Sequence, residues 1–148
     1  MKLKVRRLSE AAVLPAYSHP GDAGLDLYAT EDVELLPRQS ALIHTGIAVE
    51  VPTGYEAQIR PRSGLAWRHG ITVLNSPGTI DQGYRGEIGV ILINHGSVPF
   101  QVQAGARIAQ LVVQTVVSVE VEEVQELSET RRGTGGFGST GTKDAEQT

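Results

Sequence analysis

The chain has 148 residues and only five aspartates, two of which stand apart from charged surface runs. Asp26 lies among apolar neighbours in Ala23-Gly24-Leu25-Asp26-Leu27-Tyr28-Ala29, and Asp81 lies in the glycine-flanked run Gly78-Thr79-Ile80-Asp81-Gln82-Gly83-Tyr84. A carboxylate so placed either shapes a turn or serves as a base or an acceptor for the water around a metal ion. Pro61-Arg62-Ser63-Gly64 opens the one helical run of the chain. It brings a guanidinium, a hydroxyl and the unpaired N–H groups of a first turn to one point, which suits an anion; the alternative is Ser63 as a plain N-cap beside a surface arginine. Near the C-terminus, residues 132–141 combine Arg132 with glycines, serine and threonines. Either this is a frayed end, or its N–H groups and hydroxyls converge on phosphate as a mobile clamp. Arginines, hydroxyls, glycine loops and two carboxylates together suit metal-assisted attack of water on a phosphate chain.

Other chemistries lack their parts. The chain has no cysteine, which removes disulfides, thiol nucleophiles and cysteine-rich zinc sites. His19, His44, His69 and His95 show no spacing that would place two ligands on one face, so a zinc site is not expected. No G-x-S-x-G elbow occurs, and Ser63 has no obvious partner base. Gly133, Gly135 and Gly138 satisfy G-x-G-x-x-G without any βαβ context, and residues 136–143 imitate a Walker A loop with Lys143 one place late. Both are coincidences of a glycine-rich tail.

The elements that must position these groups are strands. Seventeen glycines and seven prolines punctuate the chain, and between Pro37 and Gly105 no stretch free of both exceeds eight residues. That leaves little room for a three-turn helix. Ile47, Val49 and Val51 alternate with smaller or polar residues, as do Val117, Val119 and Val121, the pattern of half-buried strands. Residues 88–94 and 108–114 are β-branched runs that read as strands buried on both faces. The expected fold is all-β: a jelly-roll-like barrel of short strands with one short helix and a flexible glycine-rich C-terminal tail. Composition changes near Leu127, so residues 1–127 are expected to form the domain and 128–148 the tail.

Charge and hydropathy set the partners. A net charge of -4 argues against a protein that coats nucleic acid, although ten of the thirteen cations are arginines able to form a local phosphate pocket. The longest apolar stretches run four residues, against the roughly 20 of a membrane helix, so no membrane partner is expected and the location reads as cytoplasmic.

In chain order, residues 23–29, 61–66, 78–87, 107–111 and 132–141 resemble the five motifs of the trimeric dUTPases, the deoxyuridine triphosphate nucleotidohydrolases. The resemblance runs from about residue 3 to residue 141 with all five motifs in order. The related dCTP deaminases differ in motifs three and five, where this chain carries the hydrolase versions. A nucleotide sensor built on the same fold would not need Asp81, Gln110 and a complete tail.

The resemblance implies a jelly roll assembled as a homotrimer, with active sites shared between subunits. Motifs one, two and four would come from one chain, motif three from a second and the tail from the third. The implied reaction converts dUTP to dUMP and pyrophosphate with Mg²⁺ held mainly by the triphosphate. It keeps uracil out of DNA and supplies dUMP for thymidylate synthesis. Asp81 corresponds to the group that orients and deprotonates the attacking water at the α-phosphorus. Asp26 and Gln110 correspond to partners of the metal's water shell or the α-phosphate, and Arg62, Ser63 and Gly64 to the grip on the phosphate chain. Arg107 looks like a supporting partner of these carboxylates. For the nucleoside, Asn75 matches the amide that pairs with the uracil edge, with backbone of Gly78, Thr79, Ile80 and Gly89 adding contacts, and Tyr84 lies flat on the deoxyribose. In the tail, Phe137 would stack on uracil, Arg132 would meet the γ-phosphate, and Gly138 and Ser139 would add donors.

Overall fold

The computed structural model describes residues 1–139. Two compact units divide it, residues 1–117 and residues from 118 onward. The first carries every regular element: β1 (Lys4–Arg7), β2 (Leu25–Tyr28), β3 (Val33–Leu35), β4 (Ser40–Glu50), β5 (Tyr55–Arg60), α1 (Ser63–His69), β6 (Ile71–Val73), β7 (Gly78–Ile80), β8 (Glu87–Asn94), β9 (Phe100–Val102) and β10 (Arg107–Thr115). All pairings are antiparallel.

The strands form two four-stranded sheets, β1-β4-β8-β6 and β2-β10-β5-β7, and a β3-β9 ribbon. One apolar core joins them, with Leu27, Leu35, Ile43, Ile71, Ile88, Val90, Leu92, Ile108 and Leu111 all buried. The all-β jelly-roll expectation holds, but among the described residues no sheet closes into a barrel. Strands β1, β6, β2 and β7 end their sheets as edges, so the architecture is a sandwich.

Two readings of the strands change. Strand β8 alternates strictly: Ile88, Val90, Leu92 and Asn94 are buried, while Glu87, Gly89, Ile91 and Ile93 are partly exposed. Its β-branched content reflects a central position between β4 and β6, with only one face in the core. The alternation of Val117, Val119 and Val121 lies on no strand, and all three side chains are exposed. Strand β10 runs out of partner there. Its ladder with β5 ends at Thr115↔Tyr55, and after one more bond from Val116 N–H to Gly54 O the opposing chain turns away at residues 52–54. A period-2 pattern needs a facing strand before it becomes one.

At the end of β8 the fully buried Asn94 carries the polar link between layers. Its Nδ2 donates to Leu35 O and to Val98 O, both at 2.9 Å, and its Oδ1 accepts from Gly96 N–H at 2.8 Å. Replacing Asn94 by Leu leaves the carbonyl of the fully buried Leu35 without that donor. Asn94→Leu should therefore lose about 3 kcal/mol of unfolding free energy in urea denaturation, and an unchanged midpoint would contradict this role.

Candidate active site

Strand β2 places Asp26 directly opposite Gln110 of β10, and Gln110 directly opposite Arg60 of β5. Cross-strand partners share a face, so these three side chains form one polar row over three strands. A register shift between Arg107 and Ala109 resets the phase of β10 against β2. Gly24 leaves the space that Gln110 fills, since a Cβ there would stand 3.0 Å from Gln110 Cβ and 3.2 Å from its Cδ.

The Asp26 carboxylate is 2% exposed, an expensive place for a charge without compensation. Ser18 Oγ donates to Asp26 Oδ2 at 2.7 Å. Arg62 Nε lies 3.4 Å from Oδ1 and Arg107 Nη1 lies 3.5 Å from Oδ2. Arg107 also donates to Ser18 Oγ at 3.2 Å, and Arg62 to the Arg107 carbonyl at 3.3 Å. Both guanidiniums stand further off than the roughly 2.8 Å of a tight charged hydrogen bond, so they balance the charge without saturating it. Among the described residues Asp26 Oδ1 accepts no hydrogen bond. A buried anionic oxygen with an unused lone pair fits a water molecule of a hydrated cation, and the Gln110 carbonyl beside it is the same hard type of donor. Among the described residues no group of three His, Asp or Glu could cage a metal ion. The donor set fits a hard cation such as Mg²⁺ that keeps its own waters.

Beside this cluster lies a cleft of 330 Å³ lined by Arg62, Ser63, Gly64, Leu65, Arg68, His69 and Gln110. Arg62, the N-cap of α1, has extended backbone and makes no side-chain capping bond, so Ser63 is the first helical residue and not the cap. The amides of Leu65 and Ala66 turn back to Arg62 O at 3.1 Å. Those of Ser63 and Gly64, at the first turn, have no acceptor within the helix. The helix ends at Gly70, whose φ of 68° and 2.7 Å approach of any Cβ to Gly96 N admit only glycine. His69 packs its ring 5.1 Å from that of Phe100. Arg68 was not legible as a cleft residue from motif reading, yet it lies four residues after Gly64 on the same helical face. Ser18 gave no signal, because its link to Asp26 crosses a turn-rich segment with no pattern. Arg62, Arg68 and Arg107 against the single Asp26 carboxylate make the region cationic.

The third motif forms a separate surface. Gly78 of β7 pairs with Ile59, and a Cβ on it would stand 3.3 Å from Ile59 Cβ and 3.4 Å from Asn75 Nδ2, so Asn75 lies over the bare glycine. Asp81 follows β7, exposed, and its carbonyl accepts the Tyr84 N–H at 3.0 Å. Arg85 Nη1 closes the turn by donating to Gln82 O at 2.6 Å and Tyr84 O at 2.8 Å. Thr79, Ile80, Asp81, Tyr84, Glu87 and Gly89 line a cleft of 230 Å³. It shares no lining residue with the cleft at Arg62. Asp26, Arg62, Ser63, Gly64, Arg107 and Gln110 thus form one group, and Asn75, Gly78, Thr79, Ile80, Asp81, Tyr84 and Gly89 another.

In the second unit the glycine run makes tight turns of its own. Arg132 Nε donates to Gly135 O at 2.9 Å, and Ser139 N–H to Gly136 O at 3.0 Å. Gly133, Phe137 and Gly138 take positive φ of 51°, 48° and 85°, and the Phe137 ring is fully exposed. The end of the fifth motif at Gly141, and Lys143 of the rejected Walker-like run, lie outside the described residues.

A dUTPase family model matches residues 10–141. The deoxyuridine 5'-triphosphate nucleotidohydrolase of Gloeothece citriformis is 64% identical over 141 residues, which cover 95% of this chain and 97% of that protein. This chain belongs to the dUTPase family. The dUTPase of Staphylococcus bacteriophage 80alpha, solved with dUPNHPP, matches with a TM-score of 0.88 at 31% identity, over 95% of this chain and 98% of that one. A mutant dUTPase from phage phi11 of S. aureus, whose structure describes the coordination of a structural Mg(II) ion, matches with a TM-score of 0.79 at 30% identity, over 85% of this chain and 98% of that one.

Within this dUTPase-family chain the Asp26 cluster makes a stability prediction. Asp26→Asn keeps an acceptor for Ser18 but removes the charge that both arginines face and turns an NH₂ toward one of them. Because the arginines are partly exposed and can rehydrate, the loss should be about 2 kcal/mol in urea denaturation, less than for a fully buried pair. Unchanged stability would show that the carboxylate charge plays no part in holding the cluster.

Proposed function

We propose that this chain is a dUTP diphosphatase that converts dUTP to dUMP and pyrophosphate, with Mg²⁺ as cofactor, in a homotrimer with shared sites. It thereby keeps uracil out of DNA and supplies dUMP for thymidylate synthesis. The observation that carries this reading is the arginine-lined cleft beside a buried carboxylate with an unused lone pair. The family relatives, each named for dUTP hydrolysis, support the same substrate.

The residues divide the work by their chemistry. Arg62 and Arg68 supply charge to the phosphate chain, and Ser63 and Gly64 supply neutral donors from the first turn of α1. Arg107 holds Asp26 and Ser18 in place from behind. Mg²⁺, when bound, draws charge from the phosphate oxygens and leaves the α-phosphorus more open to attack. Asp26 and Gln110 orient the water shell that accompanies it. Asp81 accepts the proton of the attacking water as its oxygen bonds to the α-phosphorus, the bridging P–O bond to the β-phosphate breaks, and the electron pair leaves with pyrophosphate. Asn75 and the backbone of Gly78, Thr79, Ile80 and Gly89 read the uracil edge, while Tyr84 covers the deoxyribose. Arg132, Phe137, Gly138 and Ser139 close over the nucleotide.

Asp81 lines one cleft of the chain, while Arg62 and Gln110, the neighbours of Asp26, line another, which supports drawing the two carboxylates from different subunits. We assign motifs one, two and four to one chain, the Asp81 hairpin to a second and the tail to the third. We place the enzyme in the cytoplasm with its nucleotide substrate; no helix among the described residues is long and apolar enough to cross a membrane.

Asp81→Asn preserves shape but cannot take a proton, so kcat for dUTP should fall by about 10²–10⁴-fold while the nucleotide dissociation constant hardly changes. A variant that keeps most of its kcat would remove Asp81 from the role of base. For the sugar, Tyr84→Ala should narrow the ratio of kcat/KM between dUTP and UTP, because the ring leaves no room for a 2′-hydroxyl. An unchanged ratio in steady-state kinetics would assign that selection to another residue.

A further inference from the structure

Tyr84, Glu87 and Gly89 also line a second cleft of 270 Å³, together with Leu42, His44 and Ile91. These three residues are therefore a wall shared by the Asp81 cleft and the cleft at His44. The wall is tied together in an unusual way. The β4–β8 ladder shifts register between His44 and Ala48, where His44 pairs with Gly89 but Ala48 pairs with Glu87. More residues of β4 than of β8 span that interval, which is a bulge, and a bulge frees backbone groups from the ladder.

The Glu87 side chain fills the gap. Its Oε1 accepts the Gly46 N–H at 2.8 Å, and its Oε2 meets His44 Nδ1 at 3.0 Å. Thr45 Oγ1 donates to the Ile88 carbonyl next door. Gly46 itself is fixed: φ is +65°, and a Cβ would come within 2.9 Å of Ala12 Cβ and Thr30 Cγ2. The carboxylate thus ties residue 87 to a closely packed bulge. The carbonyl of that same residue accepts the Tyr84 hydroxyl at 3.0 Å. On the other side, the Tyr84 hydroxyl and ring occupy the space a Cβ on Gly86 would need.

We infer that Glu87, braced by His44, is a positioning residue that holds the Tyr84 ring against the sugar and so sets the preference for deoxyribonucleotides over ribonucleotides. The inference rests on the reading of Tyr84 as the wall of the sugar site. Neither Glu87 nor His44 touches the reacting atoms. Without the brace, residue 87 shifts, the ring gains freedom, and a 2′-hydroxyl is tolerated.

The test compares kcat and KM for dUTP and for UTP in the full chain and in Glu87→Ala, Glu87→Gln, His44→Ala and Tyr84→Ala, with thermal denaturation of each. Glu87→Ala should lower the dUTP/UTP ratio of kcat/KM by about three- to tenfold, the effect of one hydrogen-bonded restraint. The change should fall on the ratio and leave kcat for dUTP little altered. Glu87→Gln keeps an acceptor for Gly46 N–H and a polar partner for His44, so it should restore most of the ratio. If Glu87→Ala does not fold, His44→Ala decides: it leaves the Gly46 bond intact and should still lower the ratio. Should Tyr84→Ala collapse the ratio while Glu87→Ala, or His44→Ala in its stead, leaves it at the wild-type value, the inference is overturned. An equal loss of kcat/KM for both nucleotides would also overturn it, as that is the mark of a purely structural role. If Tyr84→Ala itself leaves the ratio unchanged, the sugar-wall reading fails, and this inference with it.

Discussion

The placement of the arginine-lined cleft depends on one buried charge. Asp26 sits in the middle of a short strand, walled by Leu25 and Leu27, and is almost fully withdrawn from water. A carboxylate there is stable only if the chain brings it partners, and those partners come from three remote segments: Ser18, Arg62 and Arg107. Satisfying the charge therefore fixes where the turn before β2, the start of α1 and the start of β10 meet. The first turn of α1, with its hydroxyl and amides, is positioned as a consequence. The compensation is incomplete at Oδ1, which accepts no hydrogen bond among the described residues.

A second anchor governs the Asp81 hairpin. The bulge at Gly46 is held from several sides, and its free amide is taken by Glu87. From this point the Asp81 hairpin is hung, through the Tyr84 hydroxyl on the Glu87 carbonyl and the turn bond between Asp81 and Tyr84. In both halves a polar group ties the site to packed backbone, so exposed side chains such as Asp81 rest on rigid supports.

Much of this was legible in the sequence because it is local. Gly/Pro punctuation and alternating valines and isoleucines announce short strands, and the five motifs in order announce the family. What escaped is long-range. Ser18 reaches Arg107 across 89 residues and His44 reaches Glu87 across 43, and neither leaves a spacing that can be read along the chain. Sheet closure is a property of edges, so the expected barrel gave way to a sandwich whose sheets keep open edge strands. The alternation at Val117, Val119 and Val121 was genuine, but propensity alone supplies no partner strand. Ser63 looked like a cap because serine favours that position, whereas the extended backbone at Arg62 takes it and puts the hydroxyl inside the first turn.

The central claim is that a working site unites the Asp26 cleft, the Asp81 hairpin and the Arg132–Phe137 tail from different copies of the chain. Co-refolding two inactive variants tests it most directly. One is truncated after Leu127 and keeps Asp81; the other carries Asp81→Asn with its tail intact. If hairpin and tail come from different subunits, random equimolar trimers contain about a quarter of sites with both parts, since the two chains are independent even draws. Activity on dUTP should then return toward that fraction of the wild-type value. No recovery, with mixed trimers verified by native mass spectrometry, would contradict the shared site.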